Sequence, residues 1–234
     1  MRRFLAEYRL FLREFLWNYP TTGAVLPSGR SLARALARYV GKDEGPKRIL
    51  EVGPGTGPVT RRIIDRMGPE DRLDLVELND AFVARLEDRL AGEPPFQTVA
   101  ERVRVFHCPD ENLPRKDKYE LMFSGLPLNN FQPDQVQRIL DAMAALLAPG
   151  GILSFFEYIA IRRVKAVVSG RAGRERLRGI GRVLDCVLGD GEIRRDWVWG
   201  NIPPAWVHHV QMDRLAHGGS PAGPPAGAET EAKA

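Results

Sequence analysis

Apolar residues along this chain recur first at a strand-like spacing and then at a helical one, and the alternation starts at Lys47. Lys47 to Val52 (KRILEV) reads as a buried strand ending in glycines. Arg72 to Leu78, Arg102 to His107, Tyr119 to Ser124 and Ile152 to Tyr158 read as four more. Between them, Pro58 to Met67 reads as a helix with proline in its first turn. Asp80 to Leu90 and Pro133 to Leu147 are also helical, the latter stopped by Pro149-Gly150-Gly151. Strands alternating with helices predict a parallel sheet covered on both faces. After an arginine-rich helix, Ile193 to Trp199 and Trp206 to Met212 are separated only by Gly200 to Ala205. That is too short for a crossover helix, so these two strands pair antiparallel. His208 and His209 are neighbours on the last strand and point to opposite faces. The Gly/Pro/Ala/Glu-rich stretch 217–234 is expected to be disordered.

Composition narrows the class. With 234 residues, 44% hydrophobic and 27% charged, the chain suits one large globular domain with appendages, not a collagen-like or multi-span membrane protein. Cys108 and Cys186 lie far apart, so no disulfide framework or Cys-x-x-Cys metal site is on offer, which suits a reducing cytoplasm. The net charge is only +4, but Arg162 to Arg182 holds eight basic residues against one acid, Glu175. Such a patch suits a polyanion or an anionic membrane surface. Arg2 and Arg3 resemble the start of a signal peptide, yet Glu7, Arg9, Arg13 and Glu14 interrupt any apolar run after them. The longest apolar run, Ala142 to Ala148, falls far short of the roughly 20 residues of a membrane span. The expectation is a protein that neither crosses a membrane nor is exported.

The candidate chemistry starts at Glu51-Val52-Gly53-Pro54-Gly55-Thr56-Gly57, between a strand and a helix. Glycines there permit a sharp turn and let a ligand approach the backbone. The next strand ends in Glu77, twenty residues after Gly57, and a carboxylate at that tip can accept both hydroxyls of a ribose. The spacing G-x-G-x-G departs from the dinucleotide form, and Glu51 supplies a carboxylate for a ligand's amino group. Carboxylates at both ends suit a ligand with an amine and a ribose, which describes S-adenosylmethionine.

Glu51 to Gly57, Glu77 and the terminal antiparallel hairpin together resemble the class I S-adenosylmethionine-dependent methyltransferases over roughly residues 50–212. The resemblance implies an α/β, Rossmann-like fold with a seven-stranded, mostly parallel sheet whose last strand is antiparallel. It implies that Gly53, Gly55 and Gly57 border the methionine part of the cofactor, that Glu77 holds the ribose and that Ser124 lies beside the cofactor. Most members carry an acid after the third strand for the adenine amino group. Here His107-Cys108-Pro109-Asp110 puts the acid one place late, with Asp110 as the candidate.

The acceptor loop reads Ser124-Gly125-Leu126-Pro127-Leu128-Asn129-Asn130-Phe131. Adenine N-methyltransferases use Asn/Asp-x-Pro-aromatic here, the amide accepting from the amino group and the ring stacking on the base. Gly125 stands where the amide belongs and Leu128 where the aromatic does, so no nucleic-acid substrate is expected. The N-terminus points elsewhere. At about 100° per residue, Phe4, Leu5, Tyr8, Phe11, Leu12, Phe15 and Leu16 fall within an arc of about 140°. Arg2, Arg9 and Arg13 line one edge of it, while Trp17 adds bulk outside. This is the layout of a helix lying in a lipid interface, although an amphipathic stripe also suits a helix packed on the protein's own core. The stretch Tyr19 to Ser28, the acceptor loop, Phe155-Phe156-Glu157-Tyr158 and Asn201-Ile202-Pro203-Pro204-Ala205 are similar to the soluble bacterial phospholipid N-methyltransferases. Those enzymes convert phosphatidylethanolamine to phosphatidylcholine.

The expected organisation is therefore an amphipathic membrane-interface helix over 1–19, a methyltransferase domain over 20–216 and a tail over 217–234. The protein would lie in the cytoplasm, bound peripherally to the inner face of the cell membrane. Glu157 and Tyr158 are the catalytic candidates, removing a proton from the amine. Tyr158, Phe131 and Trp17 offer rings to the developing ammonium, and Arg162, Arg163 and Lys165 would take a lipid phosphate. Two alternatives stay open: a nucleic-acid methyltransferase of the ribosomal RNA adenine N6-dimethyltransferase kind or a small-molecule one, and a non-catalytic membrane-docking module of the same fold.

Overall fold

A computed structural model of the chain describes residues 29–41, 45–107, 118–159 and 171–211. The expected interface helix over 1–19, Asp110, Arg162, Arg163, Lys165 and the tail lie outside those residues.

Seven strands form one sheet in the order β3-β2-β1-β4-β5-β7-β6. They are β1 (Arg48–Val52), β2 (Arg72–Glu77), β3 (Val103–His107), β4 (Tyr119–Ser124), β5 (Leu147–Tyr158), β6 (Glu192–Val198) and β7 (Ala205–Gln211). β7 lies between β5 and β6 and runs antiparallel to both, while the other neighbouring pairs are parallel. The sequence pattern thus anticipated both the parallel set and the closing hairpin. Their carboxyl ends, except that of β7, share one edge of the sheet.

The parallel strands are buried on both faces because helices cover both. Along β1, Ile49 faces one core and Leu50 the other. On the first face α1 (Arg30–Leu36), α2 (Pro58–Ile64), α3 (Asp80–Gly92) and α4 (Pro94–Gln97) bring Leu32, Ile63, Leu86 and Phe96 onto Leu73, Leu75 and Phe123. On the second, α5 (Pro133–Leu146) and α6 (Arg171–Gly191) bring Ile139, Leu140, Ile180 and Leu184 onto Met122, Leu153 and Val210. Proline opens α2 and α5 at a position where its missing N–H is no loss. Asn79 caps α3 by accepting from the N–H groups of Ala81 and Phe82.

One boundary differs from expectation. β5 begins at Leu147 rather than Ile152. Tyr119 pairs with Leu147 and Leu121 with Ile152, so two steps along β4 face five along β5. Ala148 to Gly151 bulge out of register there, with Gly150 at φ 76°. A Cβ on Gly151 would stand 2.9 Å from the Tyr119 carbonyl oxygen. The Pro-Gly-Gly run ends the helix as expected, but it does so inside the strand.

Beneath this edge lies a buried polar tie. Tyr119 donates its hydroxyl to Asp74 Oδ2 at 2.8 Å, and Arg104 holds both oxygens of that carboxylate at 2.8 Å each. Burial, reinforced by the Asp74 carboxylate, raises the Tyr119 phenol and keeps it a donor.

Candidate active site

The loops after β1 and β4 meet at the carboxyl edge. Val52 lies in register with Val76 on one side and Ser124 on the other. Gly53 donates its N–H to the Val76 carbonyl, and Gly125 donates to that of Val52, each at 2.9 Å. Gly53, Gly55 and Gly57 adopt φ of 70°, 58° and 81°, a left-handed backbone that other residues reach only at a cost of about 1–2 kcal/mol. A Cβ on Gly125 would fall 2.3 Å from the Gly53 carbonyl oxygen. No side chain fits at position 125 unless one of these loops moves, so an adenine-type amide has no room there.

Glu77 collects the loop. Its Oε2 accepts the Gly55 N–H at 3.0 Å, and its Oε1 accepts those of Leu78 and Asn79 at 2.8 and 3.0 Å. Three of a carboxylate's roughly four lone-pair sites are thereby used, and one remains on Oε2. Glu51 stands below the loop, 1% exposed, and its Oε2 has no hydrogen-bond partner among the described residues. Burial pushes its pKa up to about 8 and the Glu77 charge adds to this, while Thr60 pulls the other way. A buried acid with one oxygen unpartnered would ionise most readily against a cationic ligand group. Outside Gly55, where a Cβ would meet nothing within 4 Å, the turn leaves room for it. These residues fit S-adenosylmethionine, which Glu51 would meet at its amine and the open site of Glu77 at its ribose, with the glycines along the chain between.

Arg89 was not anticipated. From α3 it donates to the Thr56 and Gly57 carbonyls at 2.6 and 3.2 Å and pairs with Glu93 at 2.9 Å. Its guanidinium lies over the Phe96 ring, 4.0 Å from the centroid, and so clamps the far side of the loop. Only the helical spacing from Glu93 hinted at it. Ser124 is 1% exposed, and its hydroxyl accepts the Leu126 N–H at 3.3 Å. It shapes the turn after β4.

The acceptor-side candidates divide. Glu157 and Tyr158 are neighbours on β5 and face opposite sides of the sheet. Tyr158 packs on the α1 side, its ring edge-on to Phe156 at 5.0 Å. Glu157 is 5% exposed on the α5–α6 side, with its Oε2 4.0 Å from His208 Nε2. Phe131 needs correcting: it is 1% exposed within the α5–α6 core, not an open wall. Its carbonyl accepts from Arg176 at 2.8 Å. The loop instead offers Asn129, which is buried with its side-chain oxygen unpartnered among the described residues. Nothing local in the sequence distinguishes Asn129 from Asn130.

The adjacent histidines do face opposite sides. His208 stacks on Phe155 and pairs through Nδ1 with Glu192 at 2.6 Å. His209 meets Tyr39 edge-on and lies between Ser154 at 2.8 Å and Asp196 at 3.3 Å. Burial lowers both, His209 to about 4, against the pull of their carboxylates. Both are neutral near pH 7.

Residues 49–151 match a family model described as a methyltransferase domain. The chain carries a class I S-adenosylmethionine-dependent methyltransferase domain. Its similarity to curated proteins extends further along the chain. An ornithine lipid N-methyltransferase of Singulisphaera acidiphila is 29% identical over 150 residues, 63% of this chain and 76% of that protein. A malonyl-[acyl-carrier protein] O-methyltransferase of Ilyobacter polytropus is 29% identical over 126 residues, and the chain spans only 43% of its length. An O-methyltransferase of Streptomyces achromogenes involved in tomaymycin synthesis, solved in complex with SAM, superposes at a TM-score of 0.55. It shares 19% identity and 89% coverage of each chain, which speaks for the fold of the methyltransferase domain.

Proposed function

We propose that the methyltransferase domain methylates the amine of a phospholipid head group at a membrane surface, converting phosphatidylethanolamine through its mono- and dimethyl forms to phosphatidylcholine. The observation that carries this reading is the similarity to a protein named for lipid N-methylation, together with an acceptor loop in which Gly125 leaves no room for an adenine-type amide.

When bound, S-adenosylmethionine supplies a methyl on a sulfonium, open to in-line attack by an amine. The chain's own residues have three tasks. Glu51, Glu77 and the glycine turn hold the donor in place. The acceptor loop brings the amine to about 3–3.5 Å along the axis of attack, with the Asn129 oxygen as an N–H acceptor. A head-group amine arrives protonated, and Glu157 is the carboxylate on this edge that takes the proton. The amine then gains the methyl and sheds a further proton before the next transfer.

A second reading has the amine of an ornithine lipid as acceptor, following the printed name of the relative. The full chain is incubated with radiolabelled S-adenosylmethionine and vesicles holding either lipid, or with RNA, and the products are separated. Label in phosphatidylethanolamine-derived lipids is the expected result. Label only in ornithine lipid, or in RNA, overturns the reading.

A further inference from the structure

Trp197, Trp199 and Ile202 are 56%, 66% and 78% exposed, the exposed large hydrophobics among the described residues. All three belong to the β6–β7 hairpin. Trp197 and Trp199, two residues apart, stack with centroids 5.6 Å apart. Trp206 on β7 meets Trp197 edge-on at 5.4 Å, and the Arg195 guanidinium lies 5.7 Å from the Trp206 ring. Stacking hides one face of each outer indole and leaves more than half of each ring in water.

The turn that carries Ile202 is braced. Asn201 is buried, accepts the Gly29 N–H at 3.0 Å and donates to the Pro203 carbonyl at 2.8 Å. The apolar tip is thus held outward by a buried amide, not left loose. The sheet register also gives its height. Val198, Ala205 and Tyr158 share one row, three residues beyond the row of Phe155, Ser124 and Val52. The hairpin thus extends three register rows further toward the carboxyl edge than the end of β1. It forms the rim of the edge that holds the glycine turn.

We infer that the Trp197–Trp199–Ile202 tip is an interfacial anchor that seats the enzyme on a phospholipid bilayer with its cofactor edge facing the head groups. Rigid indoles with a guanidinium behind them suit the boundary of head groups and acyl chains, where an amphipathic ring keeps one side apolar and one wet. Charge agrees. Arg171, Arg174, Arg178 and Arg182 of α6 line a polar groove together with Glu175 and Asp185, and Asp185 at its end acts on Arg195 beside the indoles. Chain position agrees as well. Gly29, whose N–H donates to Asn201 Oδ1, sits at the hairpin's own turn, and the arginine-edged amphipathic sequence 1–17 precedes it along the chain. The choice of a bilayer over another occupant rests on the lipid reading of the substrate.

The test uses the full chain with Trp17→Phe, and vesicles of phosphatidylglycerol and phosphatidylcholine, which contain no methylatable amine. Indole emission should shift to the blue on binding and be quenched by lipids brominated near the head of the acyl chain. Trp197→Ala/Trp199→Ala should weaken partitioning roughly ten- to a hundredfold while its melting curve stays in place, and Ile202→Ser should weaken it less. Unchanged partitioning of the double variant overturns the anchor. So does emission already blue-shifted and unquenchable before vesicles are added, which would mean that another copy or the chain's own first residues cover the rings. Vesicle binding without methylation of phosphatidylethanolamine would refute the substrate reading and leave the anchor standing.

Discussion

Replacing Glu51 by glutamine keeps the shape of a neutral carboxyl and removes its ability to ionise. With a pKa of about 8, roughly nine-tenths of these groups hold a proton at pH 7, one unit below. A cationic ligand beside the orphaned Oε2 favours the carboxylate, so binding should release about 0.9 proton per site at pH 7. The apparent affinity should then rise about tenfold between pH 7 and pH 9 and level off. Titration calorimetry with S-adenosylhomocysteine, run in buffers of different ionisation enthalpy, counts those protons. The free ligand's amine titrates identically in both experiments, so the difference between the two proteins reports the Glu51–amine pair. A folding measurement supplies a second arm. Because the folded-state pKa is raised above the ordinary 4.5, this group's stabilisation is complete below pH 4.5 and lost as pH climbs through 8. The ceiling is about 5 kcal/mol, and relaxation around the buried charge brings it to about 2–4 kcal/mol. Glu51→Gln should lack this loss. Equal proton counts in the two proteins, or an affinity flat from pH 7 to 9 in both, would refute the assignment of Glu51.

Gly53→Asp should abolish calorimetric cofactor binding while the circular dichroism of the fold survives, and Gly125→Ala should weaken binding by driving a methyl into the Gly53 carbonyl. Tyr119→Phe should cost about 1–2 kcal/mol in urea unfolding, since Arg104 still satisfies Asp74. In the Glu51→Gln background, stability should fall by about 1–3 kcal/mol as pH drops from 6.5 to 4.5. His209, lowered to about 4, and His208, lowered too, refuse protons that the unfolded chain accepts, and a flat profile there would contradict their burial as neutral rings. Asp196 and Glu192, both lowered, lose their contribution only at still lower pH. Removing residues 1–17 should sharply reduce pelleting with anionic liposomes, leaving the hairpin's weaker hold.

Much of the fold was legible because it rests on local signals. Val-, Ile- and Leu-rich runs marked the strands, and a six-residue gap at Gly200 to Ala205 forced the last pair to be antiparallel. The glycine turn and Glu77 were legible for a different reason: both sit where a strand ends, so sequence spacing maps onto one edge of the sheet. What failed needed the third dimension. Glu157 and Tyr158 were both expected at the ligand edge, and the packing of the helices buries one beside His208 and sets the other against the α1 core. Phe131 read as an open ring, yet the packing of α5 and α6 closes over it. Arg89 reaches the glycine turn from thirty-two residues away, and no local pattern encodes that reach. The indoles of the hairpin were legible as strand residues, whereas their exposure among the described residues was not.

The most direct measurement of the central claim is a lipid extract from a phosphatidylcholine-free bacterial host expressing this chain, separated by thin-layer chromatography. The account predicts new spots of mono- and dimethylated phosphatidylethanolamine and of phosphatidylcholine, absent with Gly53→Asp. An unchanged phospholipid pattern from a folded protein that binds S-adenosylmethionine would contradict it.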